Sequence, residues 1–153
     1  MKWIKVIVIG MVATFSMDVV MKAAMYLLSI APTNIHPAAA FLYNLGIEQP
    51  LFSSMVHYSY GTLWAFVFLY AFEDEVSVKR GLQLAIVLWL FMMLVYSPII
   101  GWGFFGIGNA ELLSPDHPLY LNSTTGYLFL TFLVHLVYGT VLGMLSLKLI
   151  VRN

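Results

Sequence analysis

Four long apolar runs separated by short polar segments dominate the chain. They extend from about residue 6 to 30, 51 to 72, 82 to 100 and 126 to 151. Each is close to the roughly 20 residues that a helix needs to cross the hydrocarbon core of a bilayer. Backbone groups in lipid must bond internally, and these runs lack the alternation of barrel strands, so they are predicted to be helices.

The composition supports an integral membrane protein. Hydrophobic residues make up 61% of the 153 positions and charged residues only 9%, whereas soluble domains carry about 25% charged residues. The net charge is zero, so a basic face for nucleic acid is not expected. The absence of cysteine excludes disulfides, iron–sulfur clusters and thiol nucleophiles. We expect one transmembrane domain over residues 1–153, without independent catalytic activity.

The basic residues predict the orientation. Apart from Lys22, they lie before the first run, between the second and third, and at the end of the fourth: Lys2, Lys5, Lys79, Arg80, Lys148 and Arg152. The connections around residues 35–49 and 109–125 contain no Lys or Arg. Because cytoplasmic loops are enriched in these residues, both termini and the middle loop are predicted to be cytoplasmic, in a plasma (inner) membrane.

A short motif occurs twice, at equivalent places in the second and fourth runs. HYSYGT begins at His57, and HLVYGT begins 78 residues later at His135. A His-Pro pair precedes each motif, at His36 and at His117. The repeated order predicts an all-α four-helix bundle of two parallel-repeat helical hairpins, related by a pseudo-twofold axis along the membrane normal.

The repeat brings ionisable residues to one depth. At 1.5 Å of helix rise per residue, His57, His135 and Asp18 each lie roughly 20–24 Å from the cytoplasmic boundary. Lys22, one turn after Asp18, can pair with it or extend towards the surface. In the repeat alignment Asp18 corresponds to Tyr96, which adds a phenol at this level.

Two histidines at one level can supply both axial ligands of a haem b. In this hypothesis His57 and His135 bind the iron. Gly61 and Gly139, each four residues after its histidine, make room for the flat macrocycle, although close helix packing explains these glycines equally well. Asp18 and either Tyr60 or Tyr138 would then support the ligands by hydrogen bonding.

Three other interpretations use the same residues. His57, His135 and Asp18 could hold a bare zinc, iron or copper ion, because imidazole and carboxylate suit these metals. His36 and His117 could form a separate site in the outer loops. Alternatively, the membrane histidines make only structural hydrogen bonds within the bundle. Finally, membrane-embedded Asp and His residues can form a proton or ion pathway.

Three segments resemble a known group of proteins. They are Ala13-Thr14 with Met17-Asp18, Pro98 followed by Gly101-Trp102-Gly103, and HLVYGTVLG at the C-terminal end. The chain resembles small uncharacterised prokaryotic four-helix membrane proteins with a His-x-x-Tyr-Gly signature. The resemblance implies a four-helix fold and no established activity, so no catalytic residue is carried over.

The short loops indicate a small subunit of a larger assembly. The leading hypothesis is an accessory subunit of a membrane redox complex in electron transport, with haem b as its cofactor. Its partners would be the bilayer and other membrane-protein subunits. The alternatives are a purely structural scaffold subunit and a homo-oligomeric transporter or proton conductor.

Overall fold

The structure is a computed structural model that describes residues 2–29, 31–73 and 75–151. Within these ranges the α-helices are α1 (Lys2–Leu28), α2 (Pro37–Asn44), α3 (Pro50–Ala71), α4 (Val78–Phe91), α5 (Ser97–Ile99) and α6 (Thr124–Ser146). Two π turns and a 3-10 helix complete the helical structure: Met92–Tyr96, Leu147–Val151 and Asn109–Leu112. The only β pairings in the described ranges are two isolated bridges. The all-α prediction is confirmed.

Three helical segments among the described residues are long and apolar enough to cross a membrane. They are Lys2–Leu27, Val78–Ile99 and Thr124–Val151. Helix α3 spans 22 residues, but serine, histidine and tyrosine in its N-terminal half lower its hydropathy. The prediction of several apolar, membrane-compatible helices is therefore confirmed for three segments. Residue 30, the predicted end of the first span, lies outside the described residues.

The four long helices pack as an open arc. Helix α1 packs against both α3 and α6, and α6 packs against α4. In the described part of the chain, α3 and α4 do not form a comparable interface. A pseudo-twofold axis would make the α3–α4 interface equivalent to the α1–α6 interface. The packing thus departs from the symmetry expected of two equivalent hairpins.

Small residues bring α4 and α6 into close contact. A Cβ atom on Gly139 would collide with the carbonyl oxygen of Gly81 and lie 2.7 Å from the Ala85 Cβ. A Cβ atom on Gly143 would lie 2.7 Å from the carbonyl oxygen of Ser77. Small residues let helix backbones approach in this way where lipid offers no hydrophobic driving force.

A π turn separates α4 from α5. The Ser97 N–H donates to the carbonyl oxygen of Met92, five residues earlier, immediately before Pro98, which has no N–H to donate. The wider turn leads to Tyr96, whose hydroxyl donates to the Pro37 carbonyl oxygen at 3.0 Å. It thereby connects the end of this long helical segment with the start of α2.

The connections 31–49 and 101–123 meet at one end of the molecule, which we call the His-Pro end. Asn34 Nδ2 donates to the carbonyl oxygens of Pro115, at 2.7 Å, and His117, at 2.9 Å. Thr33 and Leu121 form an antiparallel bridge. These bonds hold the two connections together over the ends of the helices.

The opposite end, which we call the charged end, carries the basic side chains of Lys2, Lys5 and Arg80. Lys2 pairs with Glu73 at 3.4 Å, and Arg80 pairs with Glu75. Lys5 Nζ donates to the Leu149 carbonyl oxygen at 2.8 Å. The start of α1, the C-terminal π turn and the α3–α4 connection therefore lie at the same end. Arg152, which also entered the orientation prediction, lies outside the described residues.

Candidate functional site

Asp18 on α1 and His57 on α3 are in direct contact. His57 Nε2 lies 3.1 Å from Asp18 Oδ1, and the two side chains are 15% and 25% exposed. A carboxylate can only accept, so the imidazole Nε2–H is the donor. Lys22 is exposed and, in the described structure, is not the ion-pair partner of Asp18. The carboxylate turns towards α3 instead of following its own helix to Lys22.

His36 completes a cluster with Asp18 and His57. One ligand atom from each of these three residues lies within 4.8 Å of the other two, and the two imidazole centroids are 4.2 Å apart. The Ala38 N–H donates to His36 Nδ1 at 3.2 Å, which makes His36 the N-cap of α2. This cap bond places the ring of His36 beside α3.

The two His-Pro pairs share a local structure but not a site. The Leu119 N–H donates to His117 Nδ1 at 3.1 Å, as the Ala38 N–H does to His36. The His117 ring packs edge-on against Tyr43 at 6.0 Å. Each ring is held by its own turn, which places His36 beside His57 and His117 beside Tyr43.

The histidine cluster borders a cavity of about 310 Å³ between the helices. The walls are mostly apolar and aromatic side chains from α1, α2, α3, α4 and α6. Both His57 and His135 line it, as does Tyr96. The level predicted for the membrane-embedded polar residues therefore corresponds to a shared cavity.

His135 contributes to the cavity wall but not to the cluster. Its Nδ1 lies 2.7 Å from the Thr131 carbonyl oxygen. A carbonyl only accepts, so Nδ1 carries the hydrogen and a neutral ring has its lone pair on Nε2. Of the predicted metal set of His57, His135 and Asp18, the described structure brings Asp18 and His57 into contact. His36, and not His135, is the third residue whose ligand atom lies within 4.8 Å of theirs.

The two predicted glycines lie in different surroundings. Gly61 lines the cavity, and a Cβ atom there would collide with Thr14 Oγ1. Its carbonyl oxygen accepts a 2.5 Å hydrogen bond from the buried Tyr138 hydroxyl. Gly139 instead lies in the α4–α6 interface, outside the residues that line the cavity. Close helix packing accounts for Gly139. The Tyr138 hydroxyl bonds α6 to the backbone of α3 and does not bond a histidine.

Two aromatic side chains of α3, Tyr60 and Trp64, line the cavity one helical turn apart. Tyr60 is 43% exposed, and its ring is 6.0 Å from that of Trp64. The Tyr60 hydroxyl interacts with Trp64, yet the buried indole Nε1 lacks a hydrogen bond of normal geometry in the described structure. Tyr60 was predicted as a hydrogen-bonding partner of the histidines, whereas Trp64 carried no signal beyond its place one turn later.

Comparison with protein families, with curated proteins and with solved structures finds no match for this chain.

Proposed function

We propose that this protein is an integral membrane metalloprotein in which Asp18, His36 and His57 bind a transition-metal ion. The observation that carries the proposal is the convergence of these three ligands from three separate segments, with ligand atoms within 4.8 Å of one another. Two imidazoles and one carboxylate form a ligand set that suits iron or zinc.

The distances support shared coordination. Bonds of about 2.0–2.2 Å to nitrogen and oxygen place neighbouring ligand atoms roughly 3.0–3.4 Å apart around a tetrahedral or octahedral ion. The 3.1 Å between Asp18 Oδ1 and His57 Nε2 falls in this range. A metal ion would take the place of the proton that these two atoms share. Three protein ligands leave a coordination position open for water or a substrate, as in catalytic metal sites.

His36 would be the weakest of the three ligands. Its Nδ1 accepts the α2 cap bond, so the neutral ring carries its hydrogen on Nε2. Binding through Nε2 transfers that hydrogen to Nδ1 and breaks the cap bond, at a cost of about 1 kcal/mol. Asp18 and His57 are therefore the principal ligands, and His36 strengthens the site.

The proposed arrangement in the membrane has four spans. Helix α3 packs along α1 and is as long as a span, so we include it with the three apolar segments. Both termini and the α3–α4 connection face the cytoplasm in this proposal, which the basic residues of the charged end support. The matching His-Pro turns support a repeat of two hairpins, although the long helices pack asymmetrically. Exposed apolar side chains such as Trp3 and Phe15 would face lipid or other membrane subunits.

A haem b in a membrane redox complex is the second candidate. The observation that favours it is that His57 and His135 line the same cavity, with a lone pair available on His135 Nε2. His57 would have to exchange its bond with Asp18 for the haem iron. The surroundings therefore support a bare ion at Asp18 and His57 more directly than a macrocycle.

The first experiment measures metal and haem in one preparation. The protein is purified gently from its native membrane, and its metal content and its oxidised and reduced absorption spectra are recorded. We expect about one iron or zinc ion per chain and no b-type α band. Asp18→Asn and His57→Ala should abolish the bound metal, and His36→Ala should weaken binding about 10- to 100-fold, as losses around metal ligands do.

His117→Ala is the matched control, because it removes an imidazole with the same local cap outside the cluster. Added metal should raise the thermal midpoint of wild type and His117→Ala, but not that of Asp18→Asn. Equal metal content in Asp18→Asn, His57→Ala and wild type would refute the site. A sharp reduced α band that disappears in His57→Ala would favour haem instead.

A further inference from the structure

We infer that the cavity binds a lipid-soluble aromatic molecule of the quinone and hydroquinone class, which enters from the bilayer between α3 and α4. The cavity adjoins the histidine cluster, but this ligand site uses other atoms. It therefore goes beyond the metal proposal and does not require a bound ion.

The size and walls of the cavity match a small apolar ligand. Its volume of about 310 Å³ is at the lower end of the roughly 300–1,000 Å³ typical of ligand pockets. Aromatic side chains from separate segments, including Phe41, Trp64 and Tyr96, line it. Flat aromatic rings stack favourably against such walls. A single substituted ring therefore suits the space better than a branched or charged head.

Polar atoms at the wall select for oxygen on that ring. Tyr60 lines the cavity and is 43% exposed, so its hydroxyl can donate to a ligand carbonyl or phenol oxygen. His135 offers the opposite property, because its Nδ1 hydrogen bonds Thr131 and its Nε2 can accept a phenol hydrogen. A buried polar group gains most from a ligand that pairs with it.

The open side of the helix arc provides a route from lipid. Helices α3 and α4 both contribute to the cavity wall, through Trp64 and Leu88 for example, but among the described residues they do not pack closely together. A ligand dissolved in the bilayer can therefore reach the cavity without crossing the polar ends of the protein.

The test uses the full chain in phosphatidylcholine nanodiscs and three matched probes. These are a decyl-substituted benzoquinone, its hydroquinone and decylbenzene, which has the same tail and no oxygen. We expect the first two to raise the thermal midpoint in a saturable way, and decylbenzene to have no saturable effect. Titrations with metal-loaded and chelator-treated protein separate this site from the metal site.

Two variants test the location. Leu88→Trp should fill the cavity and weaken binding at least tenfold, whereas Val87→Trp, at a neighbouring side chain that is 58% exposed, should bind as wild type does. Tyr60→Phe keeps the ring but removes the hydroxyl, and it should weaken binding roughly three- to tenfold, the effect of one hydrogen bond. Tyr70→Phe is its control, since Tyr70 is 90% exposed.

Three results would overturn the inference. They are equal effects of decylbenzene and the quinone, no saturable binding of any probe, and unchanged binding in both Leu88→Trp and Tyr60→Phe. If Leu88→Trp fails to fold, Tyr60→Phe decides alone, because it keeps nearly the same shape. Saturable quinone binding to chelated protein with no bound metal would support the cavity ligand while refuting the metal site. Metal binding without saturable quinone binding would support the metal site and refute the cavity ligand.

Discussion

At the scale of single residues, the α1–α3 crossing depends on a missing side chain. Gly61 meets Thr14 where the helices cross, and a Cβ atom there would collide with the threonine hydroxyl. That hydroxyl already donates to the Gly10 carbonyl oxygen at 2.9 Å, so it is not free to rotate away without losing a bond. The same crossing aligns Asp18 with His57. The geometry of the cluster therefore depends on Gly61 and Thr14, which are not members of it.

Gly61→Ala should destabilise the protein by about 1–3 kcal/mol, the usual cost of overpacking a filled interior. Thr14→Ala removes the colliding hydroxyl, so the double variant should recover part of the loss. Thermal or denaturant unfolding of the four proteins in a double-mutant cycle measures this coupling. Strictly additive losses would mean that the two residues do not compete for space. Metal content should fall with Gly61→Ala if the crossing aligns the ligands.

The sequence predicts Asp18 and His57 as neighbouring site residues, but it does not predict that His36 joins them. Helix rise places both residues at one depth, and the structure brings them into contact. His36 lies in a connection, whose path depends on the α2 cap and on the packing of that helix. Neither the cap nor the packing of α2 produces a periodic pattern in the sequence. The repeated His-Pro pair therefore indicated His36 as a candidate residue without indicating its position in the fold. Depth can be predicted from spacing, whereas the rotation of a helix about its axis cannot.

At the scale of elements, α2 and the π turn are the features that the hydrophobic pattern missed. Helix α2 has eight residues, too few for a span, and it lies in a connection that reads as a surface loop. Its start carries one recognised signal, the proline at the first helical position. The capping residue His36 is not one of the usual capping types Ser, Thr, Asp and Asn. The long helices were predictable because 20-residue apolar runs allow few other structures.

Gly139→Ala should separate α4 from α6. The added methyl group would collide with the Gly81 carbonyl oxygen, and a backbone atom cannot turn aside as a side chain can. We expect a loss of about 2–3 kcal/mol, at the upper end of overpacking, measured by thermal unfolding in detergent. Met144→Ala, at an exposed position of the same helix, is the control and should change stability little. Equal stability of the two variants would show that α4 and α6 adjust freely.

At the scale of the whole molecule, the two ends differ in chemistry. The charged end collects lysine, arginine and glutamate side chains, whereas the His-Pro end is held by amide and imidazole bonds to backbone. The sequence predicted this division from the positions of Lys and Arg. It could not predict the gap between α3 and α4, because pairwise helix packing depends on side-chain shape at each crossing.

The absence of native cysteine makes the orientation directly measurable. Single cysteines are introduced at Glu75, at the charged end, and at Asp116, at the His-Pro end, and intact cells are treated with a membrane-impermeant thiol reagent. Because basic residues favour the cytoplasmic side, Asp116→Cys should be labelled and Glu75→Cys should be labelled only after the membrane is opened. Labelling of both positions in intact cells, or the reverse pattern, would contradict the proposed topology.

The π turn between α4 and α5 also has a consequence for changes in chain length. A π turn accommodates one more residue than an α-helical turn, so the segment Met92–Tyr96 behaves as a helix that has absorbed a single-residue insertion. Deletion of one residue there would restore a regular helical turn and leave the segment that follows at nearly its present angle to α4. The same deletion inside a regular α-helix would rotate all that follows by about 100°. At this point in the chain, a one-residue deletion is therefore less disruptive than elsewhere in the long helices.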